Sequence, residues 1–568
     1  YNLTAALVGY NKKTIFEIQV NNYTATVLNI ALDEKIDSLA VVEVIASPFN
    51  KTEESPVSLH TIGTSEIDRN PGGNRDISKV IQSLPGVAST VSFRNDIIIR
   101  GGAPGENKFY LDGIEVPNIN HFATQGASGG PVGMINVNFI REVDFYSGAF
   151  PANRGNALSS IFDFKQKDGN SEKLVTTATL GSSDVGLTLD GPLGKKVTFV
   201  VSARRSYLGW LFKLLELPFL PIYNDAQFKT KIKLNDKNEL SLIGLGAVDD
   251  FKLNEEANKT EQQQYILGYL PVYKQWNYAV GANYKHFFEK SYLTVVASRN
   301  HLNNRSYKYQ NNDESNPTNK ILDYVSEEIE NKFRIEDTYR NMGYKLNVGA
   351  AYENATYLNS TYNKISTPAG ITTIDFKSKL GISKYALFAQ VSKGMFDERL
   401  TLSLGARTDF TDYSKEMGNP ANQFSPRFSL AWNITDAFSF NFNIGRYYQL
   451  PAYTILGYRD SSNVLENKFN KVKYISNDQV VAGFEYNTKI NTKITIEGFY
   501  KLYNNYPLAL RDSISLANLG GDYGVIGNEP VSSINKGRAY GIELMLQQKL
   551  YKGFYGIVSL TLVTSEFQ

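Results

Sequence analysis

Cysteine is absent from the 568 residues. That excludes disulfides and thiolate metal sites, and it suits a periplasmic or surface location without requiring one. Long apolar runs are missing too. The most apolar stretch outside the strand-like segments, residues 208–223, carries Lys213, Glu216, Pro218 and Pro221. It is too short for a membrane helix and reads as a partly buried or interfacial loop. Neither sign of charge dominates, and a net charge of +2 gives no case for nucleic acid. Tryptophan is scarce, at 3 residues against 36 Tyr and 32 Phe, so any aromatic belt at a membrane–water interface must be built from Tyr and Phe. No signal peptide pattern precedes Tyr1, which falls within a strand pattern, so the sequence reads as trimmed there.

What is present is a repeated two-residue rhythm. From Leu174 onward, strands of roughly ten residues alternate apolar and polar side chains and are joined by short polar turns and longer polar loops in turn. In Phe438-Ser439-Phe440-Asn441-Phe442-Asn443-Ile444 the aromatics and Ile fall on one face, Ser and Asn on the other. Residues 400–407 and 197–204 repeat the pattern. A mean hydropathy of −0.30 with 20% charged residues would hide a helical membrane protein. It suits a barrel, because only alternate residues meet lipid. The fold class expected is therefore mainly β: a transmembrane antiparallel β-barrel holding an α+β domain.

Pattern and turn signals give roughly seventeen strands. Short turns fall at residues 235–238, 340–343, 435–436 and 487–491; long polar stretches fall at 251–275, 301–326, 357–383, 447–477 and 504–532. Single-chain barrels of bacterial outer membranes have even strand numbers, and plugged ones about 22. An open edge facing lipid is not tolerated. The expectation is that C-terminal strands, on the order of a hundred residues at this spacing, are missing from the sequence.

Four regions follow from these signals. Residues 1–32 alternate in short strands, and their wording resembles part of a carboxypeptidase-regulatory-like β-sandwich. Residues 33–56 form a polar connector interrupted by one β-prone run. Residues 57–167 read as a compact α+β domain, with a helix over 75–84, strands over 97–100 and 143–146, and a hairpin over 109–116 whose Asp112-Gly113 pair favours a type I′ turn. Residues 168–568 are the barrel.

Within the third region, Leu84-Pro85-Gly86-Val87, Ile99-Arg100-Gly101-Gly102, Tyr110-Leu111-Asp112-Gly113-Ile114 and Ser147-Gly148-Ala149-Phe150-Pro151-Ala152 occur in order. They resemble the plug domain of TonB-dependent outer-membrane receptors and transporters. The resemblance covers the plug in detail and the barrel in architecture. The short segment between Gly102 and Phe109 departs from SusC-type importers, which argues against, without excluding, a lid lipoprotein of the SusD type.

The resemblance implies roles for specific residues. Val41-Val42-Glu43-Val44-Ile45-Ala46-Ser47 resembles a TonB box, a β-prone run in a linker that adds a strand to a partner's sheet edge. A final strand of the preceding sandwich is the simpler alternative. Ala103, Pro104, Gly105, Glu106 and Asn107 form a candidate ligand-binding plug loop, with a loop merely packed on the wall as its alternative. Arg94, Arg100 and Arg141 are candidates to pair with lumen carboxylates such as Asp409 and Glu497, holding plug to barrel. Arg154-Gly155-Asn156 reads as a turn before the barrel.

Two chemical signals compete with this reading. Gly126-Ala127-Ser128-Gly129-Gly130 matches G-x-S-x-G, but the flanking residues carry neither the strand nor the helix that a nucleophile elbow needs. The four histidines, His60, His121, His286 and His301, fall in unrelated contexts. Asp249-Asp250 and Asp313-Glu314 have the oxygen chemistry for Ca²⁺ in outer loops, although solvated charge is the commoner meaning. No cofactor, metal or catalytic residue is assigned, and the chain is not expected to be an enzyme. The function expected is TonB-dependent transport of an iron chelate, a cobalamin-like molecule or an oligomeric nutrient across the outer membrane of a Gram-negative bacterium. The plug and N-terminal module would face the periplasm. The expected partners are TonB, outer-membrane lipid, an extracellular ligand, and a surface lipoprotein or other outer-membrane subunits. The alternative is a plugged barrel serving as a structural or assembly subunit, with residues 265–276 and 447–458 as its contacts.

Overall fold

The computed structural model describes residues 52–568 apart from 71–75, 90–93, 368–369, 461, 489–490 and 521–523, together with residues 1, 3–5, 13–15, 18, 20 and 30. Near the start, Leu3–Ala5 pairs antiparallel with Lys13–Ile15. The candidate handle, residues 41–47, lies outside the described residues.

Five strands build the globule's main sheet: Leu59–Gly63 (β1), Asn107–Leu111 (β2), Ile114–Val116 (β3), Ile140–Tyr146 (β4) and Ser160–Gln166 (β5). Their order in the sheet is β1-β4-β5-β2-β3, with β5 parallel to β2 and the other pairs antiparallel. The β2–β3 turn holds Asp112 at φ 46° and Gly113 at φ 92°, the two positive values that a type I′ turn demands. Helices α1 (Thr64–Arg69) and α2 (Ile77–Ile81) pack beside the sheet. Asp76 caps α2 by accepting from the Ser78 amide at 2.9 Å. The helix stops short of Leu84, and Pro85 has no amide to continue it.

The globule's core is a stack of rings, with Phe145 on Phe162 at 4.6 Å and Phe109 on Phe162 at 5.4 Å. It is completed by side chains of the surrounding wall, among them Ile243, Leu245, Ala279 and Val296. The globule therefore buries its last apolar face against the large sheet and not within itself.

That sheet has seventeen strands, all antiparallel and in chain order. The first nine are Val175–Leu180 (β6), Asp184–Pro192 (β7), Val197–Ser206 (β8), Phe219–Asn235 (β9), Asn238–Leu253 (β10), Val272–Phe287 (β11), Ser291–Tyr309 (β12), Lys320–Asn341 (β13) and Tyr344–Thr367 (β14). The rest are Gly370–Met395 (β15), Leu400–Thr411 (β16), Phe424–Asn433 (β17), Phe438–Gln449 (β18), Ile475–Asn487 (β19), Thr492–Ala509 (β20), Val531–Tyr551 (β21) and Phe554–Phe567 (β22). Strands β6 and β22 are its two edges. Side chains spread along the sheet bond to the globule, from Thr188 and Ser202 through Gln275, Gln390 and Arg427 to Glu543 and Ser565. The sheet thus wraps around the globule, and the residues that touch it define the inner face.

Two expectations about loops are corrected. Residues 208–223 are not a loop: Leu208–Leu214 is a helix, α3, and β9 begins at Phe219. Residues 357–383 are the tip of the long β14–β15 hairpin. The strand was hidden because polarity inverts along β15. Near the short turn Leu387 and Val391 point outward while Gln390 and Ser392 point in. Further out, Lys377 and Lys379 point outward while Phe376, Leu380 and Ile382 are buried inside. The run of outward apolar residues that starts near the short turn ends close to the exposed Tyr385.

Candidate functional site

Because the globule lies inside the sheet, the residues that join the two decide whether it can move. Arg100 is the central one. It sits in a left-handed turn at φ 50° and is fully buried. Its Nε and Nη2 donate to the Glu543 carboxylate on β21 at 2.7 and 2.6 Å, Nη2 also to Glu497 on β20 at 2.7 Å, and Nη1 to Ser58 at 2.9 Å. Ser58 in turn donates to Glu497 through its hydroxyl at 2.6 Å. Phe499 lies beneath the guanidinium, 5.0 Å from it. Burial alone would favour a neutral group, but Glu543 and then Glu497 hold Arg100 firmly in its charged form. Gly86 closes over this pair at φ 75°, and a Cβ there would collide with the Glu543 carboxylate.

The other predicted ion pairs are not plug-to-barrel pairs. Arg94 holds Asp96 within the globule, at 2.5 and 3.0 Å, and donates to Thr124. Arg141 is half-exposed and reaches Glu142 at 3.5 Å. Asp409 is gripped by Arg407 at 2.6 and 2.8 Å. In each case a neighbour one or two residues away satisfies the charge first. Arg407 does reach the globule, through the Ala152 carbonyl.

A second junction was not foreseen. His121, fully buried, is clamped between two wall carboxylates: Nδ1 lies 2.7 Å from Asp249 on β10, Nε2 lies 3.1 Å from Asp225 on β9. Tyr223 stacks on the ring at 4.2 Å, and Arg204 donates to Asp225 at 3.0 Å. The Phe122 amide donates to Asp249 at 2.7 Å. Burial lowers the pKa of the imidazole, but Asp249 and Asp225 outweigh it and raise it to about 9. The same contact removes Asp249-Asp250 as a cation site: Asp249 is spent on His121, while Asp250 faces outward beside Lys252. Asp313 is occupied by Ser315 and Asn319 of its own turn. Among the described residues no group of three or more His, Asp or Glu is arranged to hold a metal. Ser128 donates to the Pro104 carbonyl at 2.6 Å within a run of turns, so the G-x-S-x-G match has no elbow geometry.

The predicted plug loop, Ala103 to Asn107, is not open to solvent. Pro104–Glu106 forms a 3₁₀ turn. Glu106 is buried and accepts from Tyr503, Tyr506 and Ser159 at 3.0, 3.0 and 2.5 Å. Gln449 donates to the Gly105 carbonyl at 2.7 Å. Asn107 donates to the Ile97 carbonyl at 2.6 Å. Above it, the loops after β18 and β20 close the mouth, with Thr454 donating to the Ile526 carbonyl at 2.6 Å and the Ile526 amide to Gln125. Ile455, Leu456, Tyr474, Leu516 and Ile526 pack there as an apolar cluster. Residues 447–458 are therefore mostly interior and are corrected as an outer contact surface.

Beside the globule a cavity of about 100 Å³ opens between Tyr110, Glu115 and Asn156 on one side and Lys332, Arg334 and Lys384 on the other. Its wall is charged. Lys332 bridges Glu115 at 3.0 Å and Glu330 at 2.8 Å, and the Tyr453 hydroxyl, from the outer loop, reaches Glu330 at 2.5 Å. Arg154, expected as a turn residue, pairs with Asp163 at 2.9 Å over the Tyr110 ring. Sequence alternation identified the inward-facing polar residues, but nothing in it named Glu543, Asp225 or Asp249 as the partners.

Comparison with known proteins follows the same lines. A family model described as TonB dependent receptor-like, beta-barrel matches residues 222–568, and one described as TonB-dependent Receptor Plug Domain matches residues 51–160. No curated protein sequence matches the chain significantly. Among solved structures, a mutant of the ferric enterobactin receptor PfeA from Pseudomonas aeruginosa superposes with a TM-score of 0.67 at 16% identity, covering 90% of this chain and 80% of that one. The siderophore receptor PirA from Pseudomonas aeruginosa gives 0.61 at 14% identity, with 90% and 85% covered. The copper transporter OprC gives 0.65 at 13% identity, with 91% and 82% covered.

Proposed function

The chain belongs to the TonB-dependent receptor family, and on that premise we propose that it carries an extracellular ligand inward across the outer membrane by active transport. Receptors of this family reside in the outer membrane of Gram-negative bacteria and are not classed as enzymes. The globule at residues 57–167 acts as the plug, with its N-terminal side toward the periplasm. Ligand binds at the mouth formed by the loops after β18 and β20. TonB pairs with residues 41–47, and force along that strand draws the plug away from the wall. The observation that carries this reading is that the globule is held inside the sheet by hydrogen bonds and ion pairs spread around the wall, the buried Arg100 and His121 junctions among them, and not by an apolar seal alone.

The relatives named for ferric enterobactin and copper make a metal chelate the first cargo to test. Deletion of residues 41–47 is expected to abolish uptake while surface binding of that chelate persists. Normal uptake by the deletion strain would defeat the reading. A second reading, a plugged barrel kept as a structural subunit, is favoured by the packed apolar mouth over Ala103 to Asn107. Stoichiometric co-purifying outer-membrane proteins, with no uptake defect on gene deletion, would select it.

A further inference from the structure

We propose that the short-turn rim of the sheet around Met342 and Phe396 is a docking ledge for the body of the periplasmic protein that takes up residues 41–47. The inference rests on the transport reading above and adds to it a second contact with that partner. Glu53, six residues after Ser47, is fixed to the wall. Its carboxylate lies 2.8 Å from Arg340, and that of Glu54 lies 2.5 Å from Lys345, while the Glu54 carbonyl accepts from Ser429 at 3.1 Å. Arg340 and Lys345 are register partners at the base of the β13–β14 turn, Met342-Gly343. The chain therefore meets the wall at this turn, and six fully extended residues reach no more than about 21 Å from it. A folded domain of about 100 residues has a radius of gyration of about 13 Å. A partner that adds a strand to residues 41–47 thus stands against this sector of the rim.

The turns in this sector are built against local preference. Met342 stands at φ 49° and Phe396 at φ 55°, with Asp397 and Glu398 following at 55° and 64°. Left-handed turn positions suit Gly, Asn and Asp, and a large apolar side chain is unfavourable there. Yet Met342 is 79% exposed and Phe396 74%, so neither gains burial in return. Phe288 and Ile434, on the β11–β12 and β17–β18 turns to either side, are exposed as well. Backbone bonds stitch the four turns into one row. The Arg340 amide donates to Lys290 at 2.8 Å, the Gly394 amide to Gly343 at 3.4 Å and the Asn433 amide to Arg399 at 2.7 Å. Successive turns lie two strands, about 10 Å, apart. The row is also set off from the lipid-facing surface. Lys345 reaches inward to Glu54, so Tyr344 points outward, and the Lys393 ammonium sits 3.4 Å from the centre of its ring. Ring and cation mark the headgroup level, and Met342 lies two residues beyond it on the periplasmic side. Charges of both signs stand between the tips, Glu289 with Lys290 and Glu398 with Arg399. Net charge therefore does not select the partner; exposed Met and Phe, the side chains enriched at the centres of protein interfaces, do.

The test uses the full chain in lipid nanodiscs and, as probe, the purified periplasmic C-terminal domain of the same bacterium's TonB. Met342→Asn with Phe396→Asn removes both apolar tips and places at each position a residue that suits its φ, so the turns are not weakened. Calorimetric titration should show the unaltered chain binding the domain more tightly than a peptide of residues 38–50 does. The double variant should bind about ten-fold weaker than the unaltered chain, at an unchanged or raised melting temperature. The chain has no cysteine, so Met342→Cys carries a single environment-sensitive dye, whose emission should shift to the blue when the domain is added. Equal affinity of the unaltered chain and the double variant, or a dye that the domain leaves unshifted, overturns the ledge. A dye already shifted and shielded from aqueous iodide before the domain is added overturns it too, and assigns the tips to lipid. Failure of the domain to bind either peptide or chain defeats the transport reading together with the ledge, whereas equal binding to peptide and chain defeats the ledge alone.

Discussion

The Arg100 guanidinium lies 2.6 Å from Glu543, a carboxylate 443 residues further along the chain. Neither group sees bulk water, and Glu497 and Ser58 complete the arrangement. A buried charge cluster of this kind contributes little net stability when intact, but removing one member leaves the others uncompensated. It therefore behaves as a fastener that is either closed or costly.

Arg100→Ala is expected to destabilise the seating of the globule by about 3–5 kcal/mol, because two buried carboxylates lose their cation. Hydrogen exchange of residues 97–101 and 57–59 should accelerate strongly while the barrel strands keep their protection. Unchanged exchange there would remove Arg100 from this role.

Gly86→Ala should act on the same junction from the backbone. The residue stands at φ 75°, and a methyl group would strike the Glu543 carboxylate. Left-handed strain of about 1–3 kcal/mol adds to the collision. A lowered melting temperature for the globule, equal to or exceeding that of Arg100→Lys, is the expected reading.

Raising pH should loosen the His121 junction. The ring faces Asp225, Asp249, Arg204 and Tyr223, and its pKa in place is about 9 against an ordinary 6.5. A raised value means that the stabilisation is fully present below about pH 6.5 and is lost as pH climbs through about 9. Protease sensitivity of residues 119–125 should rise over that interval. His121→Gln should be sensitive throughout and nearly flat across it.

Tyr503→Phe and Tyr506→Phe each delete one donor to the buried Glu106 carboxylate. Each should cost about 1–3 kcal/mol, and the pair should be non-additive because both serve one group. A double-mutant cycle on thermal unfolding checks this. Purely additive losses would mean that Glu106 is not the shared acceptor.

Much of the barrel was legible because strand alternation is a local property. Phe438 to Ile444 shows its lipid face without reference to any other segment, and the number of strands counted from turns matches the seventeen of the sheet. The same signal failed at residues 357–383, where the strands leave the membrane and apolar residues move to the inside. It failed again at 208–214, where a helix replaces a presumed loop.

The sequence by itself determined the alternating strands, the turn chemistry of Asp112-Gly113 and the motifs that mark the globule, because each is set by residues within a few positions of one another. Only the tertiary structure decided that Arg100 meets Glu543 and Glu497 while Arg94, Arg141 and Asp409 pair with close neighbours, that His121 joins Asp225 to Asp249, and that Ala103 to Asn107 lies beneath the outer loops. A charge takes whichever opposite charge the folded chain brings nearest, and that distance is a property of the sheet wrapped around the globule and not of spacing along the chain.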